Sequence, residues 1–341
     1  CKPDLRNDRW RTPMRVAVLD DWQRVARKSA DWSLLTRRKV ETSFFSGPLG
    51  PEEKAAAALA DYQILVAMRE RMAFPESLIA RLPNLKMISL TGRRSPTLDL
   101  EACTRRGVLV CNTGGELSAA ATAELALGLM LAAMRQVPAA DTSVRAGTFQ
   151  TSVGAGAVLE GRTLGVIGLG RIGSRMAGYG AALGMKVLGW SPNLTPERAA
   201  SAGALFATRE ELLEQADVVS LHLVLSEKTK GLLGPGDLAR MKPGAVLVNT
   251  SRFPLVVETA LLAALRAGRI VAAFDVFPEE PLPAASPLIE CPNTVFTPHL
   301  GYCTKEVYQQ FYKESLANIL AFLDGKPIRM MNDAALTVGA T

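Results

Sequence analysis

Three residues far apart in the chain, Arg252, Glu280 and His299, each stand just past an apolar run that reads as a β-strand: residues 245–250, 270–274 and 294–297. The guanidinium of Arg252 is a planar fork able to hold a carboxylate by two parallel hydrogen bonds. An imidazole ordinarily titrates near neutrality, which suits His299 to give and take a proton. A carboxylate beside that ring would favour its protonated form and fix its orientation. Glu280 is the candidate, with Glu279 a local rival that spacing does not separate. An open parallel sheet gathers ligands outside the carboxyl ends of its strands. Cation, acid and imidazole are therefore expected to meet there.

The elements that would position them alternate along the whole chain. Apolar runs at 15–19, 40–45, 64–67, 86–90 and 108–111 read as strands. Helical stretches at 51–59, 75–82 and 100–106 separate them, opened by Pro51 and Pro75 or closed by Gly107. A long helix over 118–134 leads to a small-residue stretch at 148–161, where the composition shifts. A second series follows, with strands at 163–167, 186–190, 217–223, 245–250, 270–274 and 294–297: six strands, enough for one dinucleotide-binding sheet. Thr208 with Glu211 has the spacing of a capping box, and a last helix is expected over 305–323. Such alternation predicts an α/β fold, parallel sheets covered by helices.

Gly168-Leu-Gly170-Arg171-Ile172-Gly173 is a GxGxxG that closes the strand at 163–167 and opens a helix. In that context it predicts a pyrophosphate site: Gly168 for the turn, Gly170 for close backbone approach, Gly173 for helix–sheet packing. The helix N-terminus would supply amides and dipole to the phosphates. Arg171, Ile172 and, at a neighbouring strand end, Thr250 join the expected cofactor contacts. The acid that would receive the adenosine ribose belongs about 20 residues on, where this chain has Trp190-Ser191-Pro192-Asn193. Ser191 and Asn193 can bond a ribose hydroxyl without repelling a 2′-phosphate, and Arg198 could meet one. The expected cofactor is NAD or NADP, with NADP ahead. These groups suit hydride transfer at the carbon beside a carboxylate. Arg252 would hold the carboxylate, His299 would exchange the proton on the carbonyl oxygen, and Asp275 would bond the nicotinamide carboxamide. His222 is expected to be structural or at the cofactor's edge.

Composition narrows the alternatives. The 341 residues carry 39 Lys and Arg against 33 Asp and Glu, a scattered excess of +6 without an aromatic-interleaved basic stripe. Nucleic acid is not the expected partner, whereas a small anion suits the charge. Five cysteines without CxxC spacing and only two histidines point to no disulfide framework and no metal site. No signal-peptide core opens the chain, and the helix at 118–134, Ala-rich with Glu124 inside it, reads as buried rather than membrane-spanning. The expectation is a cytoplasmic protein without a membrane partner.

The motifs Gly168–Gly173, Met241-Lys-Pro-Gly244 with Val248-Asn-Thr-Ser-Arg252, Phe274-Asp-Val-Phe-Pro-Glu-Glu-Pro281 and Thr297-Pro-His-Leu-Gly301 together resemble the D-isomer-specific 2-hydroxyacid dehydrogenase family over nearly the whole chain. The resemblance implies Arg252, Glu280 and His299 as the catalytic set, selecting Glu280 over Glu279. It also implies a 2-oxo or D-2-hydroxy acid substrate and a homodimer built through the cofactor domains. A discontinuous flavodoxin-like substrate domain (14–112 with 304–333) would accompany a Rossmann domain at 113–303, with 1–13 expected to be flexible. Departures from the family pattern are local. The substrate loop, usually Gly-x-Gly, is Gly92-Arg93-Arg94, which adds two guanidiniums and suggests a larger or more anionic substrate. Phe253 replaces a usual glycine and would narrow the pocket if its ring entered it. Val257 replaces a usual acid, and Tyr302 could line the substrate mouth. An alternative on the same fold is a protein that senses nicotinamide cofactor with little turnover.

Overall fold

The computed structural model describes residues 14–332; the segment 1–13, expected to be flexible, and residues 333–341, which include the end of the expected 304–333 segment, lie outside the described residues. The chain divides into two compact units, one from residues up to Glu116 together with those from Thr304 on, the other Leu117–Cys303. The first break falls after Glu116 rather than after Asn112. Side chains of the last helix hold the intervening residues to the first unit: Gly114 N–H donates to Glu314 (2.5 Å) and Gln310 Nε2 to Glu116 (3.1 Å).

In the first unit β1 (Arg15–Val18), β2 (Glu41–Phe44), β3 (Ile64–Ala67), β4 (Met87–Leu90) and β5 (Leu109–Asn112) form a parallel sheet in the order β2-β1-β3-β4-β5. This is the flavodoxin-like winding. β3 and β4 are buried along their whole length, as a strand covered by helices on both faces must be, and so they read as unbroken apolar runs. The helix Lys305–Leu323 packs in this unit. It buries Tyr308, Phe311, Tyr312, Leu316 and Ile319, an i, i+3, i+4 stripe. Its fully buried Asn318 donates to Ser89 Oγ (3.3 Å) and the Asn112 carbonyl (2.9 Å), and accepts from Arg329 (2.8 Å). A polar residue can sit in that core because its amide is satisfied there.

The second unit holds β6 (Thr163–Ile167), β7 (Lys186–Trp190), β8 (Leu205–Phe206), β9 (Val218–Leu221), β10 (Ala245–Asn249), β11 (Ile270–Phe274) and β12 (Thr294–Phe296). Their order is β12-β11-β10-β9-β6-β7-β8, all parallel, a Rossmann sheet with one strand more than the six expected. The addition is β8, a two-residue exposed edge too short to show any periodicity. Side chains alternate between two cores: along β10, Ala245 and Leu247 join one, Val246 and Val248 the other. The helix Glu116–Met134 has the length and composition of a membrane span, yet Ala126, Leu129, Met130 and Met134 lie in the core against Leu164, Val166 and Met176. The capping box forms, with Thr208 Oγ1 accepting from Glu211 N–H (3.2 Å) and Glu211 from Thr208 N–H (2.9 Å). A helix over Val137–Arg145 had no counterpart in the sequence reading.

Candidate active site

The strand order of the second sheet reverses between β6 and β9, and the glycine loop leaves β6 at that point. Gly168 has φ +99°, and a Cβ there would lie 2.8 Å from the His222 carbonyl carbon. A Cβ on Gly173 would lie 1.9 Å from the Gly168 oxygen, whereas one on Gly170 would meet nothing within 4 Å. Two of the glycines are therefore demanded by the protein's own packing, while Gly170 keeps an open approach. Gly170 also N-caps the helix Arg171–Ala182 without any side-chain hydrogen bond, leaving the first-turn amides for an anion. At the end of β10, Thr250 Oγ1 is buried and lacks a hydrogen-bond partner. Uncapped amides, an open glycine and an orphan hydroxyl fit a dinucleotide. Ile172 is half-buried and Arg171 exposed at the start of that helix. Past β7, half-buried Ser191 and exposed Asn193 carry no carboxylate, and Arg198 Nη1 donates to the Asn193 carbonyl (2.9 Å). His222 shares a hydrogen bond with Ser220 Oγ (2.8 Å), and burial pushes its imidazole down to about 4, so it is neutral near pH 7.

At the ends of β10, β11 and β12 the geometry gathers the acid and the imidazole. His299 Nδ1 lies 2.5 Å from Glu280 Oε2, and Glu280 Oε1 accepts from Phe277 N–H (3.0 Å). Burial pushes the Glu280 carboxyl up, but the His299 hydrogen bond and charge, the Phe277 amide and the Arg252 charge together bring it below its ordinary value. Of the two neighbouring acids, Glu280 is the one on the ring. Arg252, half-buried and extended after β10, donates through Nη1 to the Ser251 carbonyl (2.7 Å). Asn249 Nδ2 holds the Arg252 carbonyl (3.1 Å).

Asp275 does more locally than expected. Its buried carboxylate accepts from Thr297 Oγ1 (2.6 Å), Leu300 N–H (2.7 Å) and Gly301 N–H (2.8 Å). These donors bracket His299, whose φ of +54° lies in the left-handed region, so Asp275 shapes the turn that carries the imidazole. Burial raises the Asp275 carboxyl despite these donors and the nearby His299 charge. Tyr302 is buried, its ring edge-on to His299 at 5.9 Å. Phe253 is buried in the apolar core, T-shaped against Phe274 at 6.0 Å; the ring does not narrow a pocket. Thr297 was legible only as part of the Thr-Pro-His motif, without its bond to Asp275.

In the first unit, Gly92 has φ +84° and its N–H donates to Thr113 Oγ1 (2.7 Å). Arg93 pairs with Glu116 (2.9 Å) in an exposed ion pair. Arg94 is exposed, with no ion pair among the described residues. Sequence reasoning missed Arg69, at φ +49°, whose guanidinium stands 3.2 Å from where a Gly92 Cβ would be.

The second unit is thus a dinucleotide-binding domain with an acid–imidazole pair at its strand ends. The D-isomer specific 2-hydroxyacid dehydrogenase NAD binding domain matches residues 127–301. The D-3-phosphoglycerate dehydrogenase of Mycobacterium tuberculosis is 40% identical over 269 residues, 79% of this chain and 50% of that protein. The glyoxylate reductase of Aeropyrum pernix is 38% identical over 270 residues, 76% of this chain and 80% of that one. A Ralstonia solanacearum crystal structure assigned as a D-3-phosphoglycerate dehydrogenase oxidoreductase superposes with a TM-score of 0.90 at 40% identity, covering 96% of this chain and 99% of that one. The chain belongs to the D-isomer-specific 2-hydroxyacid dehydrogenase family. It spans about half the length of the phosphoglycerate dehydrogenases it matches.

Proposed function

We propose that this protein is a nicotinamide-dependent reductase of small 2-oxo acids, or in reverse a dehydrogenase of D-2-hydroxy acids. The observation that carries the reading is the 2.5 Å contact of His299 Nδ1 with Glu280 Oε2 at the strand ends of a Rossmann sheet. A nicotinamide cofactor held by Gly168, Gly170, Gly173 and Thr250 would supply hydride chemistry at the carbon bearing the oxygen. Arg252 holds the substrate carboxylate through its fork and polarises the adjacent carbonyl. With Nδ1 directed at Glu280, His299 uses Nε2 for the substrate oxygen, giving a proton in reduction and removing one in oxidation. Ionised Glu280 stabilises the charged ring, and Asp275 keeps the turn in register. NADP is favoured over NAD by the missing carboxylate after β7 and by Arg198 bonded to the Asn193 carbonyl. A second copy of the chain as partner is supported by the exposed apolar side chains of Val137, Val144, Phe149 and Val158. A reduced, cytoplasmic setting is supported by the thiols of Cys103, Cys111, Cys291 and Cys303, none of them in a disulfide among the described residues.

The test mixes the protein with NADPH or NADH and glyoxylate, hydroxypyruvate, pyruvate or phenylpyruvate and follows cofactor absorbance. Oxidation with at least one acid, abolished by His299→Ala, is the expected result. Cofactor binding without turnover across a wide panel would overturn the reading in favour of a cofactor sensor.

A further inference from the structure

Two aromatic residues stand immediately beside residues of the site: Phe253 follows Arg252, and Phe274 precedes Asp275. β10 and β11 run side by side with Asn249 paired to Phe274 at their ends, so the two segments leave the sheet as neighbours. Just past that point the Phe253 and Phe274 rings meet edge to face, their centroids 6.0 Å apart and their planes at 71°. Both rings are buried in one core. An edge-to-face pair fixes orientation as well as filling space. The contact therefore joins the segment that carries Arg252 to the one that carries Asp275, whose carboxylate shapes the His299 turn.

The backbone around Arg252 is laced to the same neighbours. Fully buried Asn249 accepts from Ser251 N–H through Oδ1 (3.0 Å) and donates to the Arg252 carbonyl through Nδ2 (3.1 Å). Its own carbonyl accepts from Asp275 N–H (3.0 Å), and Leu255 N–H adds a second bond to the Arg252 carbonyl (3.3 Å). Beyond that, the Pro254 carbonyl accepts from Gly231 N–H (2.8 Å) and the Leu255 carbonyl from Leu233 N–H (3.0 Å). Residues 249–255 are thereby tied at both ends, and the Phe253 ring roots their middle in the core. Glycine, the residue of the family pattern at this position, offers no ring to bury and has the freest backbone. An arginine whose backbone is already ordered loses less freedom when it captures a carboxylate.

We propose that Phe253, clamped on Phe274, is a positioning residue that seats Arg252 for the carboxylate of the acid and couples that seat to the turn of Asp275 and His299. This role rests on the reading that Arg252 binds a 2-oxo acid. Buried in the core, Phe253 acts through the backbone of its neighbour rather than by touching the acid.

The test measures binding of oxamate, an unreactive analogue of a 2-oxo acid, to the full chain loaded with NADPH or NADH, read by fluorescence of the reduced nicotinamide. KM and kcat for glyoxylate are measured alongside. In Phe253→Ala oxamate affinity should fall about tenfold, short of the roughly hundredfold of a full 1 Å misplacement, and KM should rise by more than kcat falls. Cofactor affinity should stay within about twofold of wild type. Phe253→Leu, which keeps the core filled, should recover most of the lost affinity. Leu265→Ala truncates a side chain of the same core on the helix Glu258–Arg266. It should lower the melting midpoint and leave oxamate affinity unchanged, which separates seating from stability. Oxamate affinity within about twofold of wild type in Phe253→Ala, or an equal loss in Leu265→Ala, overturns the positioning role. If Phe253→Ala does not fold, Pro254→Gly carries the test, because it frees a fixed φ and leaves the ring in place. Oxamate should then bind about threefold more weakly, and an unchanged affinity overturns the role alone. Turnover of glyoxylate by the wild type with either negative result leaves the reaction standing and removes only the seat. Oxamate binding that Phe253→Ala weakens, without turnover of any acid, keeps the seat and removes the reaction. A wild type that neither binds oxamate nor turns over an acid removes both.

Discussion

Glu280→Gln separates charge from geometry at the reacting centre. The amide oxygen can still accept from His299 Nδ1, but the ionised partner at 2.5 Å is gone. Charge-assisted hydrogen bonds contribute about 1.5–3 kcal/mol. The Glu280 and His299 side chains are 35% and 26% exposed, and solvent screening moves the expectation to the low end. About 1.5 kcal/mol less stabilisation of the charged ring corresponds to about tenfold in kcat/KM. Reduction needs the protonated ring, and a carboxylate favours that form. The deficit in reduction should therefore widen as pH rises and narrow as it falls. Because Glu280 is held below its ordinary value in the folded protein, the pair's contribution to stability is present above the ordinary carboxyl range and is lost as pH falls through the lowered value. The assay is a pH series of kcat/KM for wild type and variant with the preferred acid, alongside cofactor titration. Rates within about twofold at every pH, or a loss lying wholly in cofactor affinity, would refute the assignment of Glu280 as the partner that charges the ring.

Two glycines should fail in different ways. Gly173→Ala places a Cβ 1.9 Å from a backbone oxygen and should lower stability by about 2–4 kcal/mol, read by denaturant melting. Gly170→Ala meets no protein atom within 4 Å, so it should melt normally yet bind NADPH or NADH more weakly, by about tenfold or more in a fluorescence titration. Phe253→Ala should cost about 3–5 kcal/mol, because its ring packs on Phe274 in the core; an unchanged melting midpoint would place the ring elsewhere. His222, depressed from 6.5 to about 4 in the folded protein, binds its proton more readily when unfolded. Stability should therefore fall as pH drops from 6.5 towards 4, by at most about 3 kcal/mol and less with partial solvent access. His222→Gln should flatten that part of the melting-temperature profile.

Much of the architecture was legible because its signals are local. Strands buried on both faces show as unbroken apolar runs, and the capping box at Thr208 and Glu211 needs only a four-residue spacing. β8 and the helix Val137–Arg145 escaped, one through its length of two residues, the other because Val137 and Val144 face outward and give no buried stripe to read. At the site, the residue types were legible, but their pairings needed neighbours from other strands. Glu279 and Glu280 are one residue apart in an irregular turn, and spacing does not separate them; the family motif selected Glu280, and the approach of the loop after β12 supplies the physical reason. The order of residues offered Asp275 for the cofactor's carboxamide but did not disclose the three donors from residues 297–301 through which its carboxylate also shapes the histidine turn.

By itself the amino-acid order determined the alternation of strand and helix, the glycine turn at Gly168–Gly173, and the cation, acid and imidazole at strand ends. Each of these is written in a periodicity or in a contact between near neighbours along the backbone. Only the tertiary structure decided that Phe253 turns into the core, that Arg93 is held by Glu116, and that Glu280 closes on His299. A side chain's direction is set by the space and hydrogen-bond partners that distant segments bring to it, and those have no signature in the local order of residues.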